Sequence, residues 1–161
     1  MHTPSRRRLG LCLACAVALS PLFGRAAEDK KKEAVKAEVY SGKVVPLADL
    51  VAKTGSKLDP DAVPVSLVLV ADDGKVYSLI KDGGSRLFFT DPTLLNRPMR
   101  LTAKALPGSQ VLRVLSVRSV KKGQLYEIYY WCDVCAIRRG EKMSRCECCG
   151  GPMELHEEPV K

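Results

Sequence analysis

The chain has 161 residues, 26 of them basic and 18 acidic, for a formal net charge of +8. That length holds one principal hydrophobic core with a small appendage and excludes two full domains. Arg6, Arg7, Arg8 and Arg25 all lie at the start, and without them 22 basic residues face 18 acidic ones, a surplus of four that is no argument for a nucleic-acid partner.

Residues 1–27 read as an export signal and stand apart from the fold. Arg6 to Arg8 form a basic start, and Leu9 to Phe23 is apolar apart from Gly10, Ser20 and Pro21, too short for a membrane-crossing helix of about 20 residues. Gly24 and Ala26 stand where a signal peptidase reads small residues, which places cleavage after Ala26 or Ala27. Arg25 beside the cut keeps an uncleaved anchor as the alternative. Ser5-Arg6-Arg7-Arg8-Leu9 resembles the opening of a twin-arginine signal, with Gly10 where that pattern has a larger apolar residue, so general secretion and twin-arginine export both stay open. Cys12 and Cys15 lie inside the apolar run, which argues against lipid attachment there. The expected location is periplasmic or extracellular, with membrane contact only through the signal before cleavage.

Residues 28–37 form a charged arm without an apolar face, read as flexible. From Glu38 onward, short β-prone runs alternate with turn residues, the pattern of a mainly β domain. Val39 to Val45 is a first strand, in which Gly42 suggests a bulge or bend. Leu47 to Lys53 forms a helical turn after Pro46. Val65 to Val70 and Val76 to Ile80 flank Asp72-Asp73-Gly74-Lys75, which has Asp-Gly turn chemistry and predicts a hairpin. Asp91 caps a short helix with Pro92 at its first position. Met99 to Leu106, Val111 to Val117 and Leu125 to Trp131 are further strands, the first two joined by a turn at Pro107-Gly108-Ser109.

This order of a strand, a hairpin, a short helical connection and two more strands resembles an oligonucleotide/oligosaccharide-binding (OB) barrel over residues 38–124, including the stretch Leu95-Asn96-Arg97-Pro98-Met99-Arg100-Leu101. The resemblance implies a small closed barrel with Val44, Leu67, Leu69, Val76, Leu79, Leu101, Leu112 and Val114 in its core. Another small β-roll or SH3-like barrel is the alternative.

All five cysteines beyond the signal fall within 18 residues. Cys132-x-x-Cys135 is followed after ten residues by Cys146-x-x-Cys149, with Cys148 inside the second pair. Each short C-x-x-C turn aims two sulfurs at one point, and two such turns joined by a hairpin suit a tetrahedral ion with metal–sulfur bonds of about 2.3 Å. The arrangement resembles a zinc ribbon with rubredoxin-type knuckles over residues 125–155, and implies Zn²⁺ held by Cys132, Cys135, Cys146 and Cys149, with Cys148 as a possible substitute ligand. Gly150 and Gly151 follow the second knuckle where tight turning needs glycine. Ala136 stands in the first knuckle where the family has glycine, so strain is expected there. Arg138 and Arg139 are placed to offset thiolate charge, and Met153 and Leu155 to plug the apolar side of the ribbon.

Other chemistries share these residues. Iron fits the same four ligands, and copper fits the soft set Cys146, Cys148, Cys149 and Met153. Five cysteines leave one unpaired in a disulfide framework. Trp131-Cys132-Asp133-Val134-Cys135 looks like a thioredoxin active site, yet too few residues follow it to complete that fold. His156 falls in a polar tail over 156–161, where it is expected to be an exposed side chain.

No serine elbow, zincin helix, phosphate loop or dinucleotide fingerprint occurs. A four-thiolate zinc also leaves no coordination position for water. The sequence therefore reads as a non-catalytic binding or assembly module, exported, with a structural zinc site, whose partner is an unidentified protein or envelope component. A cell-envelope metal-handling or thiol-redox protein is the alternative. Nucleic acid is disfavoured, because Tyr40, Tyr77, Phe88 and Phe89 are better used as core than as stacking platforms.

Overall fold

In a computed structural model of the protein, residues 35–59, 61 and 66–161 are described. The expected export signal and most of the charged arm lie outside these residues. Eight strands and two short helices follow one another: β1 (Glu38–Pro46), α1 (Leu47–Ala52), β2 (Leu67–Ala71), β3 (Val76–Leu79), α2 (Arg86–Thr90), a 3₁₀ turn (Pro92–Leu94), β4 (Pro98–Ala105), β5 (Val111–Lys121), β6 (Gln124–Cys132), β7 (Ile137–Arg139) and β8 (Glu154–Pro159).

Local chemistry accounts for most of these elements. Gly74 takes a φ of 82° between β2 and β3, and Ala71 N–H reaches Lys75 C=O at 2.8 Å to close the expected hairpin. Asp91 accepts a hydrogen bond from the Thr93 N–H at 3.1 Å and caps the 3₁₀ turn opened by Pro92. Gly42 breaks neither ladder: it pairs with Ala71 on one side and Met99 on the other. Its role is close approach, since a Cβ there would lie 2.2 Å from the Val70 carbonyl oxygen. The irregularity in the sheet falls elsewhere, between Thr102 and Ala103 on β4 where β5 bulges.

Five strands form a closed ring. β1 pairs antiparallel with β2 and β4, β2 with β3, β4 with β5, and a parallel pairing of Ser78 and Leu79 with Val111 and Leu112 joins β3 to β5. Alternation along each strand turns Val44, Leu67, Leu69, Leu79, Leu101, Leu112 and Val114 inward, all buried. Val76, expected among them, is half-buried on the outer side of β3, because the two-residue period that turns Leu79 inward takes Tyr77 with it and leaves Val76 out. Leu87, Phe88 and Leu94, from α2 and the 3₁₀ turn, join the same core.

Beyond the ring, β6 continues the sheet. One edge pairs first with β5 and then with β7, and the other with β8 from Tyr126 to Trp131. The polar tail expected over 156–161 is therefore strand as far as Pro159. Its charges are accommodated: the mostly buried Glu157 carboxylate is bridged to Arg97 and Lys121, and His156 stacks on Tyr129 with ring centroids 5.6 Å apart, so it is not the exposed side chain expected. Cys132, Cys146 and Met153 share the core of the ring residues, so the strands of the ring and the cysteine region pack around one interior.

Candidate metal centre

Four of the five described cysteines converge. The Sγ atoms of Cys132, Cys135, Cys146 and Cys149 all lie within 4.8 Å of one another, with Cys132 and Cys149 at 3.5 Å. Metal–sulfur bonds of about 2.3 Å set the corners of a tetrahedron about 3.8 Å apart, so this donor set fits one ion of that kind. All five described cysteines are free thiols, and Cys148 is exposed and outside the group of four.

Two equivalent turns aim the sulfurs. Cys132 ends β6, and the Ala136 N–H closes back on its carbonyl at 2.8 Å; Cys146 is closed in the same way by the Gly150 N–H at 2.9 Å. Residues at the fifth position of such a turn need the left-handed conformation, and Gly150 takes φ 71° there while Ala136 takes φ 52°. The first knuckle thus adopts the glycine geometry without the glycine. In the second knuckle the Gly151 N–H donates to Cys149 Sγ at 3.3 Å.

The turns also divide the electrostatics. Backbone N–H groups of Cys149 and Cys148 point at Cys146 and bring its thiol down to about 7. Cys135 shifts upward, because the neighbouring sulfurs of Cys148 and Cys149 and partial burial disfavour its thiolate. At Cys132 the Cys135 N–H lowers the thiol, but burial and the sulfurs of Cys149 and Cys146 outweigh it, and the net direction is up. Four sulfurs this close resist carrying four negative charges, which a divalent cation relieves.

Burial is uneven. Cys132 and Cys146 are 1% and 4% exposed, whereas Cys149 is exposed, so one side of the cluster faces the core and the other faces solvent. Met153 is buried in the same core as Cys132 and Cys146, and Ile137, Met143 and Leu155 pack against that core. The arginines expected to offset thiolate charge are engaged elsewhere. Arg138 lies 4.0 Å above the Tyr129 ring and bonds Glu127 on β6 at 3.0 Å, and Arg139 bonds Glu147 in the second knuckle at 3.0 Å, so carboxylates and a ring face take up both guanidinium groups.

One anchor of this region was not visible in the sequence. Tyr130, two residues before Cys132, donates to Asp91 at 2.7 Å in the interior, and Lys142 reaches the same carboxylate at 3.4 Å. Away from the cysteines, a groove of about 700 Å³ between α1 and the β1–β2 pair is lined by Lys43, Val45, Leu50, Lys53, Val70 and Asn96, with no converging ligand set. No family model, curated protein or solved structure matches the chain.

Proposed function

We infer that the chain is an exported, non-catalytic binding or assembly module, an OB-like barrel whose C-terminal zinc-ribbon-like module is stabilised by one Zn²⁺ on Cys132, Cys135, Cys146 and Cys149. The observation that carries this reading is the burial of Cys132 and Cys146 in the same core as Leu69, Leu101 and Tyr130. An ion held there is bound to the packing of the whole chain, so its affinity becomes folding free energy. An all-sulfur tetrahedral donor set suits Zn²⁺ and leaves no open position for substrate. The OB-like reading is supported by the closed ring, its parallel β3–β5 junction and the helical segment between β3 and β4.

Native mass spectrometry of the purified protein tests the reading: one zinc per chain is expected, with loss of the cooperative thermal transition on chelation. A chain that carries no metal and melts unchanged in chelator refutes it. The second reading, a metal-handling or thiol-redox protein using zinc, iron or copper, is favoured by the exposure of Cys148 and Cys149. Exchange of the bound metal separates the two, since a structural ion exchanges on the timescale of unfolding and a handled one within seconds.

A further inference from the structure

The outer face of β1, β4 and β5 has a composition that the core and the metal centre leave unexplained. Side chains turned away from the ring on β4 are Pro98, Arg100, Thr102 and Lys104, since Met99, Leu101 and Ala103 are buried between them. Across the ladder, Arg100 is paired with Arg118, and Lys104 with Arg113. Like charges directly opposite each other on one face destabilise a sheet, and here two such pairs occur about 13 Å apart along one ladder. Lys43 extends the row on β1, where it is paired with Pro98. Among the described residues, Lys43, Arg100, Lys104 and Arg118 form no ion pair. Arg113 bonds Asp82 at 3.0 Å, and Glu127, opposite Arg118 on β6, has its carboxylate on Arg138 at 3.0 Å.

Between the two cationic pairs stand the uncharged Thr102 and Ser116, with exposed apolar side chains beside them. Val39 is paired with Thr102, and Leu115 falls in the bulge beside Ser116, with 61% and 47% of their surfaces exposed. Leu106, one residue past β4, is 43% exposed, so three of the four large exposed hydrophobic residues among those described lie on or at the end of this face. No aromatic side chain stands on its outward positions, so it offers no platform for base or sugar stacking.

We propose that this face docks the protein on an anionic lipid bilayer, with Val39, Leu115 and Leu106 entering the interface and Lys43, Arg100, Lys104, Arg113 and Arg118 meeting the headgroup phosphates. The chemistry is that of a peripheral membrane surface: exposed apolar side chains flanked by cations, on the outside of the ring. Headgroup anions supply the counter-charge that Lys43, Arg100, Lys104 and Arg118 lack. Charge complementarity fixes the sign of the lipid, and the exposed Val39, Leu115 and Leu106 beside the cations favour a bilayer over a soluble polyanion. The proposal gives the binding module inferred above a partner and uses no property of the metal centre, so its failure is distinguishable from loss of zinc.

The test is sedimentation of the protein, purified as it matures in the expressing cell, with vesicles of phosphatidylcholine alone or containing about one quarter phosphatidylglycerol. Binding is expected only to the anionic vesicles and is expected to fade as salt rises from about 0.05 to 0.5 M. Arg100→Ser with Arg118→Ser should weaken it about thirtyfold, and Val39→Ser with Leu115→Ser about tenfold. Lys53→Ser with Lys57→Ser, of equal charge change in the loop after α1, should leave it unchanged. Circular dichroism and metal content report folding of each variant. Equal binding to neutral vesicles, or retention of binding in both face variants, overturns the proposal. So does binding to heparin or an oligonucleotide that depends on Arg100 and Arg118 while the folded protein ignores anionic vesicles, because the face then reads a soluble polyanion.

Discussion

The phenol of Tyr130 donates a 2.7 Å hydrogen bond to the carboxylate of Asp91, and both side chains are almost fully buried. This contact ties β6, two residues before the first cysteine of the four-sulfur cluster, to the helical connection between β3 and β4. The carboxylate has further support from the Thr93 N–H and hydroxyl and from Lys142. Burial alone raises the Asp91 carboxyl, and the bonds from Tyr130 and Thr93 outweigh it, leaving its ionisation below the usual range. Tyr130→Phe leaves a buried carboxylate short of one donor and is expected to cost about 2 kcal/mol, read from urea unfolding of the metal-loaded protein. A folded-state value depressed below the unfolded one contributes stability that is fully present above the unfolded value of 3.8 and is lost as pH falls through the lower folded value. The variant should therefore lose less stability than the parent as pH falls below about 4, and an unchanged acid limb would show that Tyr130 does not set the Asp91 ionisation.

The two knuckles differ in one residue that geometry singles out. Ala136 holds φ 52° where its counterpart Gly150 holds 71°. A side chain in the left-handed region costs about 1–2 kcal/mol, partly offset because glycine loosens the unfolded chain by about 0.4–1 kcal/mol. Ala136→Gly is expected to stabilise the metal-loaded protein by about 0.5–1 kcal/mol and to raise its resistance to chelators. A loss of stability on this substitution would place the strain elsewhere.

How much of this was legible in the sequence depends on how local the cause is. The β2–β3 hairpin follows from Asp73-Gly74 between two apolar runs, and the 3₁₀ cap from Asp91-Pro92, because each signal lies within four residues. The cysteine pairing is equally local, since each C-x-x-C turn aims its own two sulfurs. The closing β3–β5 pairing joins Leu79 to Leu112, and the Tyr130 bond spans 39 residues to Asp91, so no local pattern encodes either. β8 was hidden for another reason: Glu154, Glu157 and Glu158 read as solvated tail, whereas they pair with β6 and Glu157 is bridged to Arg97 and Lys121. The outer face of β1, β4 and β5 is likewise invisible in one dimension, because Val39, Arg100 and Leu115 come from three strands.

Gly42 offers a sharp test of the ring. A Cβ there would meet the Val70 carbonyl oxygen at 2.2 Å and the Ala71 Cα at 2.7 Å, both backbone atoms that cannot swing away. Gly42→Ala must separate β1 from β2 and is expected to cost about 3 kcal/mol, at the upper end of single-site effects. Gly140→Ala serves as the control, since an added Cβ meets nothing within 4 Å and the residue is exposed. Equal stability of the two variants in thermal unfolding would mean that the β1–β2 approach is looser than the structure has it.

The ligand assignment is tested by the two adjacent cysteines at 148 and 149. Cys149 Sγ lies 3.5 Å from Cys132 Sγ and accepts from the Gly151 N–H, whereas Cys148 is exposed and outside the four-sulfur group. Cys149→Ser replaces one of four soft ligands with a hydroxyl that has to lose its proton to bind, so zinc affinity is expected to fall by about a hundredfold or more. Cys148→Ser should change affinity by less than about threefold, because its sulfur contributes only a neighbouring dipole. Titration of each purified variant against a competing chelator reads both numbers. If Cys148→Ser releases zinc while Cys149→Ser retains it, the second knuckle binds through the other cysteine. If both variants lose zinc equally, all five sulfurs share the ion, and the exposed thiol beside Cys135 is a ligand in exchange with Cys149.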